Sequence, residues 1–336
     1  MVAEIGSEIR IRDASKGLLD WAREELILPN PQYRERERRG LWVGNTPKYL
    51  WLYRVDGSDL VVPTGVGKQV RQFLSKQDEI IVQLADNGIL EYQGNIPLYD
   101  YQKAAVEALK KSSCGILQSP CGSGKTQMGI ALAAALGRKT LWVTHTQDLL
   151  TQSKARAEQY FPEENLGTIT AGKVRIGSHV TFATVQTLSK LDLTQYRNTW
   201  DVVIVDECHR LAGSPTQVTM FYKVMNNLAA RYKYGLSATV HRSDGMIKST
   251  FAVLGPIIYR VPDEAVADKT MQVRIVPRDT GIAVSRGCLD TDGTLDYHEL
   301  LSYLGDNQER NELIVRDMVS QSGHSCLVLA SRLEQL

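Results

Sequence analysis

Short apolar runs alternate with helical stretches through the middle of the chain, from about residue 96 to 262. The apolar runs predict strands at residues 115–118, 140–144, 180–183, 202–206 and 234–238. Periodic apolar positions between them predict helices at residues 125–136, 147–160 and 217–230. Strands that alternate with helices in this way are typical of a parallel α/β sheet of RecA or Rossmann type.

The two flanking regions have different patterns. Residues 1–95 combine a charged helix near 14–25, a cluster of helix breakers at 29–31 and aromatic-rich strand material at 50–55. This combination predicts a separate accessory α+β domain. Residues 270–336 contain a strand at 272–276, a helix at 308–319 and a strand at 326–329, which are too few strands to close a sheet. We therefore expect residues 96–262 to form a complete α/β domain, and residues 270–336 to be the beginning of another.

Composition excludes several classes of protein. The 336 residues are 43% apolar and 23% charged, as in ordinary globular proteins, so disordered and collagen-like chains are excluded. No apolar run approaches the roughly 20 residues that a membrane helix needs. Charged residues stand where a secretory signal would be apolar, so we expect a cytoplasmic protein with no membrane partner.

Charge and cysteine content add further limits. The net charge of +1 does not mark the chain as a nucleic-acid binder, so any such binding must come from a local surface. The five cysteines are widely spaced without a Cys-x-x-Cys pair, which argues against a zinc ribbon or a redox motif. We expect them to be reduced.

A phosphate-binding loop is the clearest chemical signal. Residues 119–126 read Ser-Pro-Cys-Gly-Ser-Gly-Lys-Thr and lie between a predicted strand and a predicted helix. Such a loop points backbone N–H groups at an anion. Gly122, Ser123 and Gly124 would surround the phosphates, the Lys125 ammonium would reach the β and γ oxygens, and the Thr126 hydroxyl would bind Mg²⁺. The serine at the first position replaces the usual glycine.

An acid pair follows a second predicted strand. The apolar run at 202–205 leads directly into Asp206 and Glu207. Parallel strands deliver such residues to the carboxyl edge of the sheet, where the phosphate loop also lies. Asp206 would hold Mg²⁺, and Glu207 would orient and deprotonate the attacking water. The two motifs together predict ATP cleavage, with ATP and Mg²⁺ as cofactors.

The sequence around these acids resembles that of a known family. Asp-Glu-Cys-His at 206–209 and Ser-Ala-Thr at 237–239 resemble motifs II and III of superfamily 2 helicases. Residues 235–245 resemble in particular the branch that contains XPB, UvsW and the type III restriction subunit, with Val240 where that branch commonly has proline. The resemblance covers about residues 95–336 and implies a RecA-like P-loop NTPase fold.

The resemblance also implies roles for single residues. Gln102 would read adenine, His209 would link the ATP site to motif III, and Ser237 with Thr239 would couple hydrolysis to domain movement. Taken alone, each residue has a simpler explanation. Gln102 could be a surface side chain, and His209 could be a hydrogen-bonded histidine at a strand end. Ser237 or Thr239 could cap a helix.

Two further motifs of the family imply nucleic-acid contacts. Residues 144–152 resemble motif Ia, and residues 184–187 resemble the strand-contacting motif that follows it. The implied contacts are made mostly to the DNA backbone, and their candidate residues are Thr144, Thr184 and Gln186.

The function that the resemblance implies is an ATP-dependent DNA helicase or translocase. Residues 308–311 and 328–334 resemble the entry to a second RecA-like domain, whose arginine fingers would lie beyond residue 336. We therefore expect this chain to bind ATP but hydrolyse it poorly without the remainder of that domain, which would be a partner. A nuclease or a repair or defence protein is a further candidate partner. The alternatives are a nucleotide-gated DNA-binding subunit of a restriction or defence assembly, and an RNA helicase.

Three other patterns give weaker predictions. Residues 63–69 imitate a phosphate loop, but Gln69 replaces the metal-binding hydroxyl, so a β-turn or a backbone contact to DNA is favoured. Residues 288–299 have EF-hand spacing, but the first ligand would be Cys288, so a polar loop is favoured over calcium binding. The aromatics Trp42, Trp51 and Tyr53 fit base stacking or a domain core, and core positions are favoured.

Overall fold

The computed structural model describes residues 1–212, 214–239, 245–269, 275–289, 293–321 and 323–330. Its contacts divide the chain into two compact units, Met1–Met271 and Gln272–Leu336. The domain boundaries drawn from the sequence near 95, 262 and 270 stay predictions. Residues 240–244 belong to the 235–245 segment that resembles the helicase family, and they lie outside the described residues.

The elements of the described residues are numbered in chain order. The strands are β1 (Val2–Ile5), β2 (Glu8–Arg12), β3 (Ile27–Pro29), β4 (Tyr49–Trp51), β5 (Arg54–Asp56), β6 (Asp59–Pro63), β7 (Glu79–Val82), β8 (Cys114–Gln118), β9 (Thr140–Thr144), β10 (Leu166–Thr170), β11 (Lys173–Arg175), β12 (Val180–Thr184), β13 (Val202–Val205), β14 (Tyr232–Ser237) and β15 (Ile257–Arg260). The helices are α1 (Lys16–Glu25), α2 (Pro31–Arg38), α3 (Gly67–Arg71), α4 (Asp100–Lys110), α5 (Lys125–Leu136), α6 (Gln147–Ala157), α7 (Val185–Ser189), α8 (Pro215–Met225), α9 (Ile247–Leu254), α10 (Tyr297–Asp306) and α11 (Gln308–Ser320).

The central sheet confirms the expected α/β class. In the described part of the chain it has eight strands in the order β11-β10-β12-β9-β13-β14-β8-β15. Neighbouring strands are parallel except β10 and β11. All five strands predicted between residues 115 and 238 are present, with ends that differ by up to two residues from the prediction. The fold is that of a RecA-like P-loop NTPase.

Helices cover both faces of this sheet, which explains why its inner strands are apolar throughout. Trp142 and Ile204 pack with α4, α5 and α6 on one face. Val143 and Val205, the next residues along the same strands, pack with α7, α8 and α9 on the other face. Successive side chains of a strand point to opposite faces, so both must be apolar.

The strand order brings the predicted motifs to one place. β14 lies between β13 and β8, and all three are parallel. Their carboxyl ends therefore lie side by side, with the acid pair after β13, Ser237 at the end of β14 and the phosphate loop after β8. This edge of the sheet is the place where open α/β sheets bind ligands.

A second sheet forms the N-terminal part, in the order β5-β6-β2-β1-β7. Its apolar residues, among them Ile11 and Leu60, pack in one cluster with Val218, Met246 and Ala252. The buried Lys233 ammonium adds polar contacts, since it donates to the carbonyl oxygens of Ser7 and Met225, each at 3.1 Å. Inside the first unit the N-terminal sheet therefore shares a core with α8 and α9, which cover one face of the RecA-like sheet.

The core prediction for the N-terminal tryptophans was wrong. Trp42 is 84% exposed and Trp51 is 60% exposed. β3 and β4 form a separate two-stranded sheet, which has one buried and one open face. Leu28 faces inward and is buried, whereas Trp51 lies on the open face. Tyr53 is partly buried.

The glycine-rich segment at 63–69, which imitates a phosphate loop in sequence, has a packing role. Residues Thr64–Val66 form a 3₁₀ turn that continues into α3, rather than an isolated β-turn. A Cβ on Gly65 would lie 2.5 Å from the backbone nitrogen of Gly255, which is closer than side chains can approach. Glycine is needed because two backbones pack together here.

The second unit contains α10 and α11, and α11 confirms the helix predicted at 308–319. The strand predicted at 326–329 was wrong: these residues have no regular secondary structure. A strand needs a hydrogen-bonded neighbour, and no described segment of this unit pairs with them. Residues 275–276 are likewise not in a strand, and 272–274 lie outside the described residues.

The EF-hand-like segment lies only partly within the described residues, which omit 290–292. The Asp296 carboxylate caps α10 by accepting the backbone N–H groups of His298 and Glu299 at 2.8 and 3.2 Å. Cys288 is buried. A search of the described helices for one with the length and apolarity of a membrane span found none.

Candidate nucleotide-binding site

The loop between β8 and α5 has the backbone of an anion-binding turn. Gly122 and Gly124 adopt φ values of +78° and +81°, a region that side chains disfavour. A Cβ on Gly124 would also lie 2.6 Å from Nε2 of Gln102, so the Gln102 amide that binds the Ser123 carbonyl would have to move. The loop leads directly into the first turn of α5, which begins at Lys125. Its N–H groups therefore favour a bound anion.

Three side chains fix the loop around Ser123. Its carbonyl oxygen accepts the Gln102 amide at 2.9 Å and the Tyr101 hydroxyl at 3.0 Å. Its own hydroxyl lies 2.5 Å from that of Ser119. Ser119, the departure from the usual glycine, thus helps to order the loop in advance of binding.

The acid pair lies opposite the loop. The Lys125 ammonium is 3.7 Å from Oε1 of Glu207, although the two residues belong to separate motifs. Glu207 is one of the non-glycine residues with a positive φ, at +48°. Such a conformation costs free energy and is maintained where the surroundings require it. The structure thus brings the predicted phosphate loop and the predicted acids into one cleft.

Asp206 is an incompletely compensated buried carboxylate. It is 4% exposed, and its oxygens accept the Glu207 backbone N–H at 2.9 Å and the Ser153 hydroxyl at a long 3.4 Å. Burial, with the nearby Glu207 charge, raises the pKa of Asp206 to about 6. A hard divalent cation would relieve this cost, and oxygen ligands suit Mg²⁺. Asp206 therefore fits a predicted Mg²⁺ ligand, and Thr126, the other predicted ligand, lines the same cleft.

Motif III contacts the acid pair through His209. Its Nδ1 lies 2.8 Å from the Ser237 hydroxyl and 3.3 Å from Oε2 of Glu207. The Ser237 hydroxyl donates in turn to the Thr239 carbonyl at 2.6 Å. Because the Ser237 hydroxyl uses its proton in that bond, its oxygen can only accept from His209. His209 therefore donates its Nδ1 proton to Ser237. A continuous network thus joins Glu207 to the end of β14.

The cleft has an aromatic wall. Its volume is about 660 Å³, and its lining includes Lys125, Asp206 and Glu207. The rings of Tyr99 and Tyr101 stack at 5.8 Å, and the Lys269 ammonium lies 5.4 Å from the Tyr99 ring centroid. Lys269 carries no local signal in the sequence, because it reaches the cleft only through the fold.

Gln102 lies beside this wall and is buried. Its Nε2 binds the Ser123 carbonyl, and its Oε1 accepts the Tyr99 backbone N–H at 3.0 Å. It is therefore a structural link between the start of α4 and the phosphate loop. The adenine contact expected of it stays a prediction. Arg156 and Lys269, which the sequence did not single out, also line the cleft.

Two of the predicted nucleic-acid residues end adjacent strands, and the third lies on α7. Thr144 and Thr184 pair in register across β9 and β12, and both are buried. The Thr144 hydroxyl donates to the Thr146 carbonyl at 3.1 Å, and the Thr184 hydroxyl caps α7. Gln186 donates from Nε2 to Nδ1 of His145 at 3.2 Å. Both threonine hydroxyls thus already hold the local backbone.

Comparison with known proteins agrees with this geometry. The family model described as "Type III restriction enzyme, res subunit" matches residues 95–242. The DNA 3'-5' translocase XPB2 of Sulfurisphaera tokodaii is 32% identical over 203 residues, which cover 59% of this chain and 44% of the relative. The DNA 3'-5' helicase XPB of Mycobacterium tuberculosis is 28% identical over 224 residues, or 62% and 40%. Over part of its length the chain is therefore similar to the XPB-like branch of superfamily 2 helicases.

The structure of the UvsW helicase from bacteriophage T4 has the same fold. It aligns with a TM-score of 0.55 and 20% identity, over 77% of this chain and 100% of the other. The chain spans 40 to 44% of the length of the two XPB relatives. The region matched by the family model contains the phosphate loop and the acid pair of this chain.

Asp206→Asn is expected to stabilise the ligand-free chain at pH 8. The raised pKa of about 6, against 3.8 for an ordinary aspartate, means that the folded state binds this proton more tightly than the unfolded state. The stabilisation by that proton is complete below about pH 4 and is lost as the pH rises through about 6, so the wild type loses up to about 3 kcal/mol by pH 8. Urea unfolding at pH 8 and pH 4 measures the difference, which should shrink at pH 4.

The matched control for this prediction is Asp192→Asn. Hydrogen bonds from Thr194 lower the pKa of the exposed Asp192 carboxyl, so its replacement should not stabilise the fold at pH 8. Equal or lower stability of Asp206→Asn at pH 8 would show that the buried carboxylate carries no such cost.

Proposed function

We propose that this chain binds ATP with Mg²⁺, cleaves it, and uses the cycle to move on DNA or remodel it, as an ATP-dependent DNA helicase or translocase. The observation that carries the proposal is the 3.7 Å approach of Lys125 to Glu207 across a cleft that Asp206 also lines. One triphosphate can contact the phosphate loop and the acid pair together.

Different groups of the cleft have different roles in the proposed cleavage. Loop N–H groups and Lys125 hold the β and γ phosphates, and neutralise charge that develops during transfer. Glu207 orients a water for attack on the γ-phosphate and accepts its proton. Asp206 and Thr126 would hold Mg²⁺, which neutralises phosphate charge when bound.

Coupling to movement is proposed to use the His209 network. A change at Glu207 when the γ-phosphate leaves alters the charge that His209 faces at 3.3 Å. His209 is hydrogen-bonded to Ser237, and Ser237 to Thr239, so the change is passed to the segment after β14. This network supports the coupling role of Ser237 and Thr239.

DNA is proposed as the track because both XPB relatives described above are named for action on DNA. Contacts would be made to the phosphates, with affinity that falls with salt and little sequence preference. Thr144, Thr184 and Gln186 lie on adjacent elements at one edge, and the backbone that the threonines order would make the contacts. The cytoplasmic location expected from the sequence is part of this proposal.

Slow hydrolysis by this chain alone is also proposed. Among the described residues, the cations that line the cleft are Lys125, Arg156 and Lys269. An added arginine finger, as the family resemblance implies for a complete second RecA-like domain, contributes about 10³ to 10⁵ in rate. Turnover of residues 1–336 at ordinary helicase rates would contradict this part of the proposal.

ATPase assays with nucleic acid test the choice of track. Residues 1–336 should hydrolyse Mg·ATP slowly, and single- or double-stranded DNA should raise the rate more than RNA of the same length and salt. Stronger stimulation by RNA would favour an RNA helicase. Nucleotide-dependent DNA binding without any cleavage would favour a recruiting subunit, and absence of Mg·ATP binding would end the proposal.

A further inference from the structure

Exposed aromatic residues concentrate in residues 30–53, which we call the 30–53 surface. Of the five tryptophans, Trp42 and Trp51 are exposed, whereas Trp21 is half-buried and Trp142 and Trp200 are buried. Tyr49, two residues before Trp51, is also 43% exposed. Large apolar rings are unfavourable in water, so their concentration on one exposed segment indicates a surface that binds a partner.

The rings follow one strand in a regular row. Tyr49 and Trp51 are alternate residues of β4 and therefore lie on the same face, about 7 Å apart along the strand. The Trp51 ring lies 5.6 Å from the Tyr53 ring. At the other end, the Lys48 ammonium lies 5.9 Å from the Tyr33 ring centroid and 6.0 Å from that of Tyr49. A cation thus lies beside the aromatic rings at the start of β4.

A buried asparagine orders this surface. Asn30 is fully buried, and its Nδ2 donates to the Pro47 carbonyl at 2.7 Å. Its Oδ1 caps α2 by accepting the Gln32 backbone N–H at 3.0 Å. These bonds hold the segment between β3 and β4 at both ends, so the rings are displayed on an ordered scaffold.

The charge of the same segment is positive. Residues 30–53 contain five arginines and lysines against two glutamates, in a chain whose overall charge is +1. Glu35 is paired with Arg38 and Arg39 at 3.4 and 2.6 Å. Arg34 and Lys48 form no ion pair among the described residues. An anionic partner therefore fits better than a neutral or basic one.

We propose that the 30–53 surface binds single-stranded nucleic acid by stacking unpaired bases on Tyr49 and Trp51, with Lys48 against the phosphates. In a duplex the bases stack on one another about 3.4 Å apart, so their faces are not accessible to a side chain. Rings about 7 Å apart instead match the wider base spacing of an extended, unstacked strand. The site deepens the proposed function, since it would hold an unwound strand outside the ATP cleft.

Fluorescence anisotropy with a labelled oligothymidylate of about 12 nucleotides tests this proposal on residues 1–336. Trp51→Ala should bind about tenfold more weakly than the wild type, and Trp51→Phe should stay within about threefold because it keeps a ring. An abasic oligonucleotide of the same length should bind the wild type and Trp51→Ala equally. Tyr297→Ala removes another exposed aromatic, 68% exposed, and should bind oligothymidylate as the wild type does.

Each outcome decides the proposal. Wild-type affinity in Trp51→Ala, as for a surface that docks a protein, would overturn it, and so would an equal loss for the abasic probe. The Lys125→Ala variant separates this site from the ATP site: its nucleotide-free oligothymidylate binding should equal that of the wild type. If Mg·ATP binding is absent but the Trp51 effect is present, the proposed motor fails and the 30–53 surface stands.

Discussion

Glu207→Gln is expected to cleave ATP at least about a hundredfold more slowly than the wild type while it binds ATP with similar affinity. Loss of a positioned general base typically costs about 10² to 10⁴ in rate. The amide keeps the shape of the side chain but accepts no proton from water. Single-turnover hydrolysis with excess protein measures the cleavage step, and titration with a fluorescent ATP analogue measures binding.

Glu107→Gln is the matched control. Glu107 lies on α4, where it is paired with Lys110 at the surface, so this variant should cleave ATP at the wild-type rate. Cleavage by Glu207→Gln within threefold of the wild type would mean that another group activates the water. Lost affinity in that variant would instead place Glu207 in nucleotide binding.

Lys125→Ala is expected to bind Mg·ATP about a hundredfold more weakly than the wild type. The Lys125 side chain is 9% exposed, so its attraction to phosphate is little weakened by solvent. Truncation of one partner in a buried charged pair costs about 2 to 5 kcal/mol of binding free energy. Isothermal titration calorimetry of the nucleotide measures this loss.

Lys110→Ala provides the comparison, since it removes the same charge from the surface of α4. Its Mg·ATP affinity should match that of the wild type. A Lys125→Ala variant that remains folded and binds Mg·ATP as tightly as Lys110→Ala would place the nucleotide elsewhere. Thermal unfolding of both variants without nucleotide shows whether they are folded.

The strands and helices of the central sheet could be predicted because burial on both faces requires continuous apolar runs. α5, predicted at 125–136, has the observed bounds Lys125–Leu136, since glycines with positive φ stand at both ends. The acid pair could be placed at the same edge as the phosphate loop because parallel strands share their direction. The sequence could not show that β14 separates β13 from β8.

Contacts between distant segments account for what the sequence did not show. Lys269 and Ser153 reach the cleft through the packing of whole elements, without a local motif. Composition could not separate exposed from buried tryptophans, because Trp51 and Trp142 both stand in strand patterns and only the sheet that each joins decides its exposure. The strand predicted at 326–329 failed for a similar reason, since apolar residues alone do not supply a partner strand.

A crystal structure of this chain with Mg²⁺ and a non-hydrolysable ATP analogue tests the central claim most directly. We predict that the γ-phosphate lies against the Lys125 ammonium, with Mg²⁺ between the phosphates and Thr126 and Asp206, and with Glu207 facing the γ-phosphate. A nucleotide bound away from the 119–126 loop, or bound there with both acids turned away from it, would contradict the account.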